Sequence, residues 1–237
     1  MKHLTVPLLA CVLVACGDSG TSTAPPPPTP EPTTPASASF EVTVVNLSNA
    51  QPLSPIAVLA HGADQRLFTV GQAASQGLEM LAESGDNSEL LAEIDARATI
   101  SGEAPLGPGA TTTLTLELDS DDTNATLLSL ASMLVNTNDA ITALNGIDVS
   151  GLAVGDTLAF STVAYDSGTE ANDEAAGTIP GPADGGEGFN ADRNDVADQV
   201  TMHGGVVTVD DGLNTSVLNQ THRFDNPVAR VMIRRTQ

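Results

Sequence analysis

The strongest constraint on the fold is a set of short segments in which apolar residues recur at every second position. The segment FEVTVVNLS, Phe40 to Ser48, puts Phe40, Val42 and Val44 on one face and Glu41, Thr43 and Val45 on the other. Side chains of an extended strand point alternately to opposite faces, so this period of two predicts a half-buried strand. SPIAVLAHG, ending at Gly62, predicts a second. ATTTLTLEL (110–118) is rich in β-branched residues, and DTLAFSTVAYD (156–166) alternates. GGVVTVDDG (204–212) and PVARVMIRR (227–235) complete the strand set. ATLLSLASMLV (125–135) is apolar almost throughout, which suits either a buried strand or a helix.

Two segments break the period. Ser75 can cap QGLEMLAES, where Leu78, Leu81 and Ala82 follow helical spacing. Asp86 and Glu89 match a capping box ahead of ELLAEIDAR, with Leu90, Leu91 and Ile94 on one face. The segment 179–199 is rich in Gly, Pro and Asp and reads as a long loop. Strands cut apart by Gly, Pro, Asn and Asp predict a mainly all-β fold, an antiparallel β-sandwich with a short two-helix insertion. There is no Trp, one Tyr (Tyr165) and five Phe, so Val, Leu, Ile and Ala must build the core.

Charge narrows the partners. Thirty acidic residues stand against eight basic ones, a formal net charge of −22. Such a surface repels phosphate backbones and excludes nucleic acid as a partner. It also repels anionic lipid headgroups unless a divalent cation bridges them.

The N-terminus carries an address. Lys2 and His3 precede an apolar run from Leu4 to Ala15, which is too short to span a bilayer and suits an export signal. The run stops at Leu13-Val14-Ala15-Cys16, which resembles a bacterial lipobox with Cys16 as the lipidated first residue. Residues 1–15 are then a signal peptide and 16–39 a Pro-rich spacer, with Pro at 25 to 28, 30, 32 and 35. The folded domain is 40–237. Such a protein would be an exported bacterial lipoprotein of the outer membrane or cell surface, touching the membrane through its N-terminal lipid only. Cys11 leaves with the signal, so the mature chain has no internal disulfide and no thiolate for zinc or nucleophilic catalysis.

Catalytic patterns are weak. His61, His203 and His222 lie in separate segments with no metal spacing and no triad context, so no enzymatic role is expected of them. LDSDDTNATL (118–127) fails the EF-hand pattern, and a polar turn accounts for Asp119, Asp121 and Asp122. YDSGTEANDE differs from it. Asp166 ends a strand, Gly168 allows a sharp turn, and Glu170 can fold back toward the same point. Converging hard oxygens suit Ca2+, while an exposed acidic turn is the alternative.

AYDSGTE resembles the Y/W-D-A-G-T-D motif of the spondin domain, which occurs in F-spondin, mindin and many bacterial secreted proteins. ASQGLEMLAESGDNSELLAEI (74–94), SMLVNTNDAITALNGID (132–148) and NPVARVMI (226–233) resemble further segments of that family, in order. The resemblance implies an antiparallel β-sandwich with bound calcium, and its matrix members serve in cell adhesion. It implies three metal ligands here: Asp139, Asp166 and Glu170, the last standing where the family has Asp. The expected function is a calcium-binding, membrane-anchored, non-catalytic adhesion or interaction module. Its partner is an extracellular matrix protein or a polysaccharide. The alternatives are a carboxylate-dependent, glycosidase-like hydrolase and a calcium-dependent carbohydrate-binding module.

Overall fold

The computed structural model describes residues 37–119, 125–192 and 197–237, all within the unit Pro35–Gln237. Cys16, the apolar N-terminal run and nearly all of the Pro-rich spacer lie outside the described residues, as do 120–124 of the acidic turn after Asp119. Among the described residues there are ten strands. They are β1 (Ala38–Asn46), β2 (Ala57–His61), β3 (Ala96–Ser101), β4 (Thr111–Leu118), β5 (Leu127–Met133), β6 (Ala140–Asp148), β7 (Thr157–Thr162), β8 (Ala164–Asp166), β9 (Thr201–Met202) and β10 (Ala229–Arg235). Helices α1 (Gln76–Ser84) and α2 (Ser88–Glu93) lie between β2 and β3.

The strands form two antiparallel sheets, one ordered β4-β1-β10-β7 and the other β3-β2-β5-β6-β8-β9. The predicted sandwich is therefore present, with its two-helix insertion. The apolar positions of β1 (Phe40, Val42, Val44) join Leu114, Leu116, Val231 and Ile233 in one cluster. Val58, Ala60, Leu128, Leu130 and Leu144 of the larger sheet belong to the same cluster, which is the core between the sheets. A second cluster, with Leu59, Leu78, Leu81, Leu90 and Ile141, seats both helices on the far face of the larger sheet. This explains the continuous apolar runs of β2 and β5: a strand covered on both faces has no polar side to alternate with.

Helix α1 starts as expected, with the Ser75 hydroxyl accepting from the Leu78 N–H. It ends at Gly85, whose left-handed φ of 74° lets its N–H reach the Leu81 carbonyl. The start of α2 differs from expectation. Asn87 holds the cap position, and Asp86 instead accepts from the Ser88 N–H, so no Asp86–Glu89 box forms. The helix also ends at Glu93, because Ile94 is already extended and leads into β3.

Two strand predictions are corrected. Residues 204–212 form no strand. Their regular piece is a 3-10 turn, Val209–Asp211, capped by Thr208. The 156–166 segment is not one strand but two. β7 pairs with β10 in the smaller sheet, and after Val163 β8 pairs with β6 in the larger one. The more buried positions Leu158, Phe160, Thr162 and Ala164 keep a period of two straight through the crossover, so the period could not mark the break.

Candidate metal centre

The chain from Asn136 to Asp139 makes the β5–β6 turn, and all four of its side chains are buried. Each polar group has local work. The Thr137 hydroxyl donates to the Leu134 carbonyl and accepts from the Ala140 N–H, closing the turn. Asn136 donates to the Ala50 carbonyl and accepts from the Ala183 N–H. Asn138 donates to Asp173 and Thr178 and accepts from the Glu174 N–H, holding the 173–178 loop.

Asp139 bonds a different turn. Because Ala140 pairs with Asp166 in the β6–β8 register, Asp139 lies beside the turn that follows β8. Its Oδ2 accepts from the Thr169 N–H at 2.8 Å, the Glu170 N–H at 3.2 Å and the Thr169 hydroxyl at 3.3 Å. Its Oδ1 is buried and has no hydrogen-bond partner. The turn itself needs glycine at 168. There φ is +69°, and a Cβ would come within 2.4 Å of the Gln199 carbonyl oxygen. Asp166 steadies the same turn by accepting from the Gly168 N–H at 2.8 Å.

Burial, then the neighbouring Asp166 carboxylate, pushes Asp139 up to about 7. Glu170 is pushed up to about 8, first by burial and then by Glu83, Asp139, Asp173 and Glu187. The charged groups acting on both are all carboxylates, so the field here is strongly negative. Among the described residues no three His, Cys, Asp or Glu side chains form a ready group that could hold a metal. The predicted ligands are instead linked pairwise by charge, Asp139 with Asp166 and Asp139 with Glu170. The donor chemistry fits a hard cation. It offers carboxylate oxygens, one of them buried and unused, in a negative field that a divalent ion would neutralise.

Sequence reasoning did not single out Glu83, Asp173 or Glu187. Only Glu83 carried a signal, as an acid within the segment 74–94 whose resemblance to the spondin domain is given above. It is buried near the end of α1 and accepts from the Asn190 N–H. Asp173 is three residues from Glu170 in the same acidic loop, whereas Glu187 lies on a separate loop whose approach to Glu170 no local pattern encodes.

The histidines are placed separately. His61 Nε2 lies 2.7 Å from the Ser129 hydroxyl, a spacing that a nucleophile and its base also use. Both residues are fully buried. Ser129 also accepts from the Gly146 N–H, and the other His61 nitrogen contacts the Gly62 carbonyl. The pair sits where β2 shifts register against β3 and β5 against β6, and it satisfies backbone groups there. Two hollows, of about 540 and 330 Å3, lie elsewhere. One runs along Thr111–Thr115 of β4, and the other lies among Asn49, Pro52, Asn136, Pro182 and His222. Neither is lined by His61, Ser129, Asp139, Asp166 or Glu170.

The chain is thus a two-sheet antiparallel sandwich with a helical insertion on one outer face and an acidic turn after β8. The Spondin_N family model matches residues 47–175, more than half of the chain, and ends just past the acidic turn. The chain belongs to the spondin family. No curated protein matches it. Spondin domains are extracellular, in agreement with export, and membership suggests a non-enzymatic module. Among the described residues no helix is long and apolar enough to cross a membrane.

Proposed function

We propose that this chain is a calcium-binding adhesion or interaction module, non-catalytic, held at the outer membrane or cell surface by a lipid on Cys16. The observation that carries the calcium reading is the Asp139 carboxylate. It is fully buried, one of its oxygens has no hydrogen-bond partner, and it faces further carboxylates. Leaving an anion in that position costs stability, and a bound cation offsets the cost. Asp139, Asp166 and Glu170 are the side-chain ligands. Calcium accepts six to eight oxygens in irregular geometry, which suits ligands drawn from two separate turns. Magnesium demands a tight octahedron and suits them less.

Anchoring rests on the lipobox-like Leu13-Val14-Ala15-Cys16 and the Pro-rich spacer after it. The proposed partner is a matrix protein or polysaccharide. Calorimetric titration of the purified domain with calcium tests the metal reading: saturable binding that is lost in Asp139→Ala supports it, and no binding ends it. A glycan and matrix-protein array probed with and without chelator tests the partner.

A further inference from the structure

A chain of hydrogen bonds runs from the C-terminal part of the domain to Asp166. The backbone of His203 is anchored next to β8 by its N–H, which donates to the Ala164 carbonyl at 3.1 Å. Its ring is nearly buried and lies against Phe224, with centroids 5.3 Å apart. The Gly205 N–H donates to His203 Nδ1 at 3.0 Å. A backbone N–H can only donate, so Nδ1 is the acceptor and the ring proton sits on Nε2. Nε2 lies 3.2 Å from Asn172 Oδ1. That contact fixes which end of the Asn172 amide faces the ring, and the Nδ2 end donates to Asp166 Oδ2 at 2.5 Å. The polarity is consistent from end to end, and no group along the path could be reversed without losing a bond.

We propose that Asn172 and His203 are positioning residues for the cation site, holding the Asp166 carboxylate in the orientation that ligation requires. This rests on the calcium reading above. The chemistry is that of an outer shell. A ligating carboxylate with both oxygens hydrogen-bonded, Oδ1 to the Gly168 N–H and Oδ2 to Asn172, has a fixed plane and still keeps free lone pairs. Asn172 is exposed, so without His203 its amide would turn freely and Asp166 would be held by the Gly168 N–H alone, free to pivot about that bond. His203 and Gly205 lie beyond residue 175, where the family match ends, so the support for Asp166 comes from the chain's own C-terminal part. It also ties that part to the occupancy of the cation site.

The test uses calcium titration calorimetry of the whole domain, melting in chelator, and the nitrogen spectrum of the His203 ring. Outer-shell losses at metal sites run about 10–100-fold, and with Asn172 exposed the low end is expected for Asn172→Ala. His203→Phe keeps a ring against Phe224 but removes the donor. It should weaken calcium binding similarly while melting in chelator near the wild type. His203→Gln, which restores an N–H donor, should recover most of the loss. The ring spectrum of the wild type should show the Nε2–H tautomer. Unchanged calcium affinity in both Asn172→Ala and His203→Phe overturns the relay, as does an Nδ1–H tautomer. A wild type that binds no calcium overturns the calcium reading and the positioning role with it, while the tautomer still reports separately on the hydrogen-bond path.

Discussion

Asp139 and Glu170 both hold protons more tightly in the folded chain than carboxyl groups do in water, at about 7 and about 8 against ordinary values of 3.8 and 4.5. The direction sets a pH dependence. Where the folded state binds protons that the unfolded state has released, stability falls as pH rises. The contribution of these two groups to the stability of the metal-free protein should therefore be full below their ordinary values of 3.8 and 4.5, and should be lost progressively as pH rises to about 7 and about 8. Calcium requires the deprotonated groups, so its stabilisation should grow over the same range. Melting in chelator and in excess calcium, from about pH 5 to about pH 9, checks this: a metal-free curve that stays level or rises contradicts it. A second expectation separates this site from the other acidic turn. Ligand binding to the native state alone adds about 2.7 kcal/mol when calcium is a hundredfold above its dissociation constant. Asp166→Ala should remove most of the resulting rise in melting temperature. Asp119→Ala should leave it nearly intact, and the reverse pattern would move the site to the 119 turn.

At the scale of elements, the insertion and the β8 turn make different demands. Leu81 is fully buried on the α1 face that seats against the larger sheet. Leu81→Ala should cost about 2–5 kcal/mol, read from the urea midpoint, through lost burial and the cavity left behind. Gly168→Ala should be harmful for another reason. It places a side chain in left-handed backbone, and its Cβ collides with the backbone at Gln199, so the turn must shift. Its melting temperature should fall and its calcium affinity with it. A variant with wild-type affinity would mean that the turn geometry does not matter to the site. The start of α1 was readable because Ser75 and the Leu78, Leu81, Ala82 spacing are local. The boundary of α2 was not. Asn87 and Asp86 are both good cap residues, and which one caps depends on the Asn87 side chain reaching the Pro55 carbonyl and the Ser101 hydroxyl, 32 and 14 residues away.

For the whole molecule, the dominant fact is a net charge of −22 with no lysine beyond Lys2. Among the described residues, ion pairs such as Arg223–Asp211 and Arg234–Glu41 lie at exposed positions, where they contribute little. The proposed anchor also acts at this scale. Cys16→Ser should release the protein from the membrane fraction. A variant that still pellets with membranes, alongside unmodified wild-type protein, would contradict lipidation.

Sequence alone determined what depends on near neighbours. The period of two in Phe40–Val45 specified β1 and its buried face. Ser75 specified the start of α1, and the order of motifs around Asp139, Asp166 and Glu170 specified the family. Tertiary structure decided what depends on distant pairing. It split 156–166 between two sheets, because β7 had to pair with β10 and β8 with β6. It left 204–212 out of both sheets, although its Val-rich pattern suits a strand, because β9 ends at Met202 and Gly205 turns to bond the His203 ring. It brought Glu83 and Glu187 to Glu170 and His203 to Asn172. The physical reason is one of range. Side-chain alternation and capping are written within a few residues. The field at a buried carboxylate is instead summed over whatever the folded chain places around it, from segments about a hundred residues apart, and no local pattern records that sum.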